Sequence, residues 1–184
     1  REDVLLPTIK SRCQQLSFSP LDACSMQEWL ERSSFDASQK DISWAVNFSN
    51  GSPGLVCEAI DSGLPELADS LSDFLALNMA TQYTSAAAGL IQFVESNVSR
   101  WVKSNPNTSK DAANRRAVNL LLLVFGSTIE NSIKNKEVVR RSILASGVLV
   151  DIEKQLSTNI SIKVLLESLC ARWEHLCVGD AMFV

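Results

Sequence analysis

The sequence predicts an all-α protein. Three observations carry that expectation. Apolar residues recur at i, i+3, i+4 spacing over most of the chain, capping residues punctuate those stretches, and only a few β-like segments occur, the clearest at Gln14–Phe18. The expected order is one short strand, a small three-helix unit, and a bundle of about five longer helices. A chain of 184 residues suits one ordinary domain or two small ones.

The strand is expected where Gln15-Leu16-Ser17-Phe18 alternates, with Pro20 closing it. Asp22 or Ser25 can then cap a helix that buries Trp29 and Leu30 and ends near Ser33-Ser34. A second helix starts near Ala37-Ser38 and sets Ile42, Ala45, Val46 and Ser49 on one face. Asn50-Gly51 ends it with residues that tolerate the left-handed region. Ser52 caps a third helix, and Pro53 takes the first helical position, where a missing N–H costs nothing. That helix buries Leu55, Val56, Ala59 and Ile60 before Gly63 stops it and Pro65 follows. Helices this short do not persist alone, so the three pack together.

Longer helices follow. One is expected from Glu66 to Met79, and the next carries Leu90, Phe93, Val94, Trp101 and Val102 on a stripe. The loop at Ser104-Asn105-Pro106-Asn107-Thr108 leads to a helix over Lys110 to Asn135, most apolar at Leu120 to Phe125. Another spans Lys136 to Leu156. The last aligns Ile162, Leu165, Leu166, Leu169, Cys170 and Trp173, with Ser161 as its cap.

Composition narrows the function classes. Apolar residues make up 46% and charged residues 21%, enough for a real core. A net charge of -4 argues against a basic nucleic-acid face over the whole chain. No apolar run nears the roughly 20 residues a membrane span needs, so no membrane partner is expected. The five cysteines are odd in number, widely spread and free of C-x-x-C, which reads as free thiols in a reducing cytoplasm. Arg1-Glu2-Asp3 lacks a signal pattern and an initiator Met, so the chain reads as a piece of a longer protein.

Catalytic groups are sparse. The single histidine, His175, sits near the end of the last helix, and no G-x-S-x-G surrounds any serine. Cys170 and Cys177 share a helix face but His175 points elsewhere, so no metal site is expected. Glu66, Asp69, Asp73, Glu95, Glu130, Glu153 and Glu167 fall at helical spacing and read as solvated faces. The pairs Arg115-Arg116 and Arg140-Arg141 read the same way. Gly51-Ser52-Pro53-Gly54 lacks the spacing and the lysine of a phosphate loop, and by itself reads as a helix–helix turn.

Three segments together resemble the clamp-loader subunits of bacterial DNA polymerase III, members of the AAA+ class. Leu5-Leu6-Pro7-Thr8-Ile9-Lys10-Ser11-Arg12-Cys13-Gln14 resembles the end of their nucleotide-binding domain, where a helix leads into the last strand. Ile42-Ser43-Trp44-Ala45-Val46 through Gly51-Ser52-Pro53-Gly54-Leu55-Val56 resembles the second and third lid helices. Asn159-Ile160-Ser161-Ile162-Lys163-Val164-Leu165-Leu166-Glu167-Ser168-Leu169 resembles the last collar helix. The resemblance covers essentially the whole chain, and its first motif is the most specific.

The resemblance implies a truncated AAA+ remnant at 1–20, a lid at 21–64 and an oligomerising collar at 65–184. It implies Arg12 as an arginine finger acting in trans, within the Ser11, Arg12, Cys13 motif, on ATP and Mg held by a neighbouring subunit. The chain itself would bind no cofactor and would not be an enzyme alone, although its parent complex is an ATPase. Partners implied are the gamma/tau and delta subunits, and through the complex the sliding clamp and primer-template DNA. The turn Gly51, Ser52, Pro53, Gly54 continues into Leu55-Val56-Cys57 without the basic residue expected of ATP-hydrolysing subunits. That is more like the non-hydrolysing delta-prime type. The gamma/tau type and an unrelated helical interaction module remain the alternatives.

Overall fold

The computed structural model describes residues 6–14, 16–76, 83–134, 139–158 and 160–178. Among these the regular structure is helical: α1 (Pro7–Lys10), α2 (Ala23–Arg32), α3 (Gln39–Ser49), α4 (Pro53–Ser62), α5 (Leu64–Ser70), α6 (Ser72–Leu75), α7 (Tyr83–Ser104), α8 (Lys110–Lys134), α9 (Val139–Leu156) and α10 (Ile162–Val178). The expected ends at Met79, Asn135 and Lys136 fall outside the described residues.

Local chemistry sets the first boundaries. Asp22 caps α2 by accepting from Ser25 N–H at 2.7 Å, and that bond holds its carboxyl below the usual range. Ser38 accepts from Asp41 N–H at 3.2 Å to start α3. Asn50 ends α3 in the left-handed region at φ 47°. Ser52 caps α4 with Pro53 behind it, and Gly63 closes α4 at φ 71°.

Two expectations are corrected. No strand forms among the described residues of Gln14–Phe18. Alternation marks two faces of an extended segment but supplies no partner, and Leu16 and Phe18 stay 70% and 90% exposed. The helix expected from Glu66 is two short ones, α5 and α6, parted at Leu71. Leu71 departs from helical dihedrals at φ -105° and ψ 7°, although its N–H still bonds Leu67 C=O and its side chain is buried.

The buried side chains form one continuous core from Met26 on α2 to Cys177 on α10. Helices α7 to α10 form a ring in chain order, with α7 along α8 and α10, and α9 along α8 and α10. Its centre is aromatic. Phe74 of α6 meets Phe125 of α8 edge-on at 6.4 Å, and Phe125 meets Trp173 of α10 edge-on at 4.6 Å. Leu165, Leu166, Leu169, Cys170 and Trp173 are all fully buried, as the α10 stripe predicts. No helix among the described residues is long and apolar enough to cross a membrane.

Candidate functional site

The Ser11-Arg12-Cys13 stretch is the turn that closes α1. Ser11 Oγ donates to Thr8 C=O at 3.2 Å, and Arg12 N–H donates to Ile9 C=O at 3.0 Å. All three residues are exposed, with Arg12 on the outside of the molecule. The same arm leaves Leu6, Ile9, Leu16 and Phe18 in solvent.

The arm meets the folded body at the Gly51 turn. Leu21 N–H donates to Gly51 C=O at 2.8 Å. Gly51 has φ 84°, and a Cβ there would lie 2.5 Å from Leu21 O and 2.9 Å from Pro20 Cβ. Both the backbone region and the close approach therefore require glycine. Pro53 and Ser52 act as helix-start residues, and Gly54 has open space around it. The structure thus links the two predicted stretches through Pro20-Leu21 rather than merging them into one pocket.

No protein-family model, no curated protein and no solved structure matches this chain.

A second cluster escaped the sequence reading. Asn97 is buried on α7 and donates to Ser62 C=O and Phe93 C=O, each at 3.1 Å. Arg100 donates to Asp61 C=O. Arg116 of α8 lies 3.7 Å over the Trp101 ring and pairs with Glu58 of α4 at 2.6 Å. Expected on a solvated face, Arg116 instead keeps only 25% of its side chain exposed, and Glu58 keeps 32%. Arg115, its neighbour, is exposed as expected. Adjacent residues on a helix point about 100° apart, so a doublet of equal charges says nothing of which one faces a partner.

These groups line a cavity of about 360 Å³ between the end of α4 and the α7–α8 pair. Arg116 pairs with Glu58, and Arg100 donates to a carbonyl at the negative end of α4. The arrangement holds the short helices on the bundle.

Other candidates separate cleanly. Cys170 and Cys177 are buried while His175 is exposed. Burial, then the nearby Glu174 carboxylate, pushes the Cys170 thiol up to about 12, and burial also raises Cys177. Both stay protonated and are poor nucleophiles or metal ligands. Among the described residues no group of three or more His, Cys, Asp or Glu side chains could hold a metal. The seven carboxylates expected on solvated faces are exposed.

Proposed function

We propose that this chain is the lid and collar portion of a delta-prime-type clamp-loader subunit, acting in bacterial DNA replication in the cytoplasm. It works as a structural and assembly part of the complex that loads the sliding clamp onto primer-template DNA. The observation that carries the reading is the exposed Arg12 in Ser11-Arg12-Cys13, on an arm whose apolar side chains Leu6, Ile9, Leu16 and Phe18 are exposed among the described residues. An arm with Phe18 and Leu16 in solvent suits burial in a further domain, here the nucleotide-binding core. The basic-free turn from Gly51 to Cys57 supports the non-hydrolysing type over gamma/tau.

Arg12 then serves a neighbour's nucleotide. Charge builds on the equatorial oxygens during phosphoryl transfer, and a planar, permanently cationic guanidinium stabilises it. Such fingers are worth a factor of about 10³ to 10⁵ in rate. In this reading ATP and Mg sit on the adjacent subunit, and this chain holds neither.

The test uses the full-length subunit assembled with gamma/tau and delta. Clamp- and DNA-stimulated ATPase is compared between the parent and Arg12→Ala. A large loss of turnover with intact assembly supports the finger. Unchanged turnover removes it, and failure of the parent to join gamma/tau and delta removes the whole reading.

A further inference from the structure

One buried hydroxyl lacks a partner. Ser62, at the end of α4, is 4% exposed, and its side chain makes no hydrogen bond among the described residues. Ser49, just as buried, donates to Val46 C=O at 2.8 Å. A buried polar group left unpaired is costly, so the space beside it calls for a partner.

That space is the cavity of about 360 Å³ between α4 and the α7–α8 pair. Asn97, Arg100, Trp101 and Ser104 line it from α7, and their i, i+3, i+4, i+7 spacing sets them on one helix face. Asn97 gives its amide N–H groups to Ser62 C=O and Phe93 C=O, which leaves Oδ1 as an unmet acceptor. Arg100 donates from Nη1 to Asp61 C=O, and no carboxylate pairs with its charge among the described residues. Asp61 lines the same cavity, and its carboxylate is in no ion pair either. Arg116 differs, since Glu58 neutralises it at 2.6 Å.

The unmet groups fall into two sets. Ser62 O–H and the remaining N–H groups of Arg100 donate, while Asn97 Oδ1 and the Asp61 carboxylate accept. A plain anion would meet the donors and be repelled by Asp61. A plain cation would meet the acceptors and be repelled by Arg100. A ligand with both charges close together meets both sets.

We propose that this cavity binds a small zwitterion, an α-amino acid. Its carboxylate accepts from Ser62 and Arg100, and its ammonium donates to Asn97 Oδ1 and Asp61. The volume lies at the small end of ligand pockets, about 300–1,000 Å³, which suits a ligand of that size. The Trp101 ring, held under the Arg116 guanidinium at 3.7 Å, gives a short side chain an apolar wall. The proposal stands on this cavity alone and does not depend on the clamp-loader reading.

The test is heteronuclear NMR of the whole chain, following the Asn97 side-chain amide and the Trp101 indole N–H. The chain is titrated separately with L-alanine, acetate and ethylamine. L-Alanine should shift both signals saturably, with half-saturation at or below about 1 mM. Acetate and ethylamine each carry one half of the charge pair, and each should bind at least about tenfold more weakly. Ser62→Ala removes the unmet hydroxyl and Asp61→Asn the unmet charge. Each should weaken L-alanine binding at least about threefold. The Asn97 amide bond to Ser62 C=O involves neither side chain, so its signal in the unliganded variants checks that the fold is kept. No saturable shift up to about 10 mM L-alanine overturns the proposal and leaves water as the partner of Ser62. So does acetate or ethylamine binding as tightly as L-alanine, and so does either variant binding like the parent.

Discussion

The arm and the bundle are built from the same kinds of residue and treat them in opposite ways. In the bundle, Phe125 and Trp173 are enclosed and meet edge-to-face at 4.6 Å. On the arm, Phe18 is 90% exposed and Leu16 70%. Hydrophobicity alone does not separate them. The bundle residues repeat every three to four positions on helices long enough to present a continuous stripe, whereas Leu16 and Phe18 lie on a segment without regular structure that no described element covers. An apolar side chain stabilises a fold only where a second surface removes it from water.

The sharpest way to break the comparison is to remove one large side chain from the bundle. Trp173→Ala deletes a fully buried ring and the Phe125 contact, and such truncations cost about 3–5 kcal/mol. Urea unfolding should show a large drop in midpoint with little change in slope. A loss below about 1 kcal/mol would mean that the aromatic centre is not what holds α6, α8 and α10 together.

The joint between arm and body comes next. Gly51→Ala must hold a Cβ at φ 84° and force it against Leu21 O. Strain of this sort costs about 1–3 kcal/mol. The effect should be local as well as global, so the Leu21 amide should exchange faster with solvent, having lost its bond to Gly51 C=O. Unchanged exchange at Leu21 would show that the arm is not fastened at this turn.

The sequence made the caps legible because each is a short-range matter. Asp22, Ser38, Asn50, Ser52 and Gly63 act within three or four residues of themselves, and all five hold the positions their chemistry favours. The Ile162-to-Trp173 stripe was legible for the same reason, since one period suffices to read it. Gln14–Phe18 was misread because a strand needs a partner, and alternation carries no information on one. Arg116 was misread because its partners Trp101 and Glu58 lie on two other helices, and nothing in an Arg-Arg doublet points to them. Of the candidate site, Arg12 and the Gly51 turn were visible as residue types, but their connection through Leu21 appears only in three dimensions.

A smaller effect, absent at neutral pH, separates the thiols of the two regions. Cys13 on the arm is exposed, whereas burial and Glu174 push the Cys170 thiol up to about 12 from its ordinary 9.0. Above the ordinary value the unfolded chain loses this proton while the folded chain keeps it. Stability from this group is therefore complete below about pH 9 and is lost as pH rises toward about 12. Urea midpoints at pH 8 and pH 10 should fall less in Cys170→Ala than in the parent. Equal slopes would place the thiol in a wetter setting than its complete burial implies.

The smallest effect is expected where the side chain is most prominent. Phe18→Ser removes a large apolar group that is 90% exposed, so it should shift the stability of this chain by no more than about 0.5 kcal/mol. The substitution becomes informative when the chain is joined to whatever covers the arm. If the arm belongs to a nucleotide-binding core, the same change in the full-length subunit buries a hydroxyl in place of a ring and costs several-fold more. A difference between the two settings measures the cover directly. Equal, near-zero effects in both would mean that Phe18 stays in water, and that the arm carries Arg12 without a domain behind it.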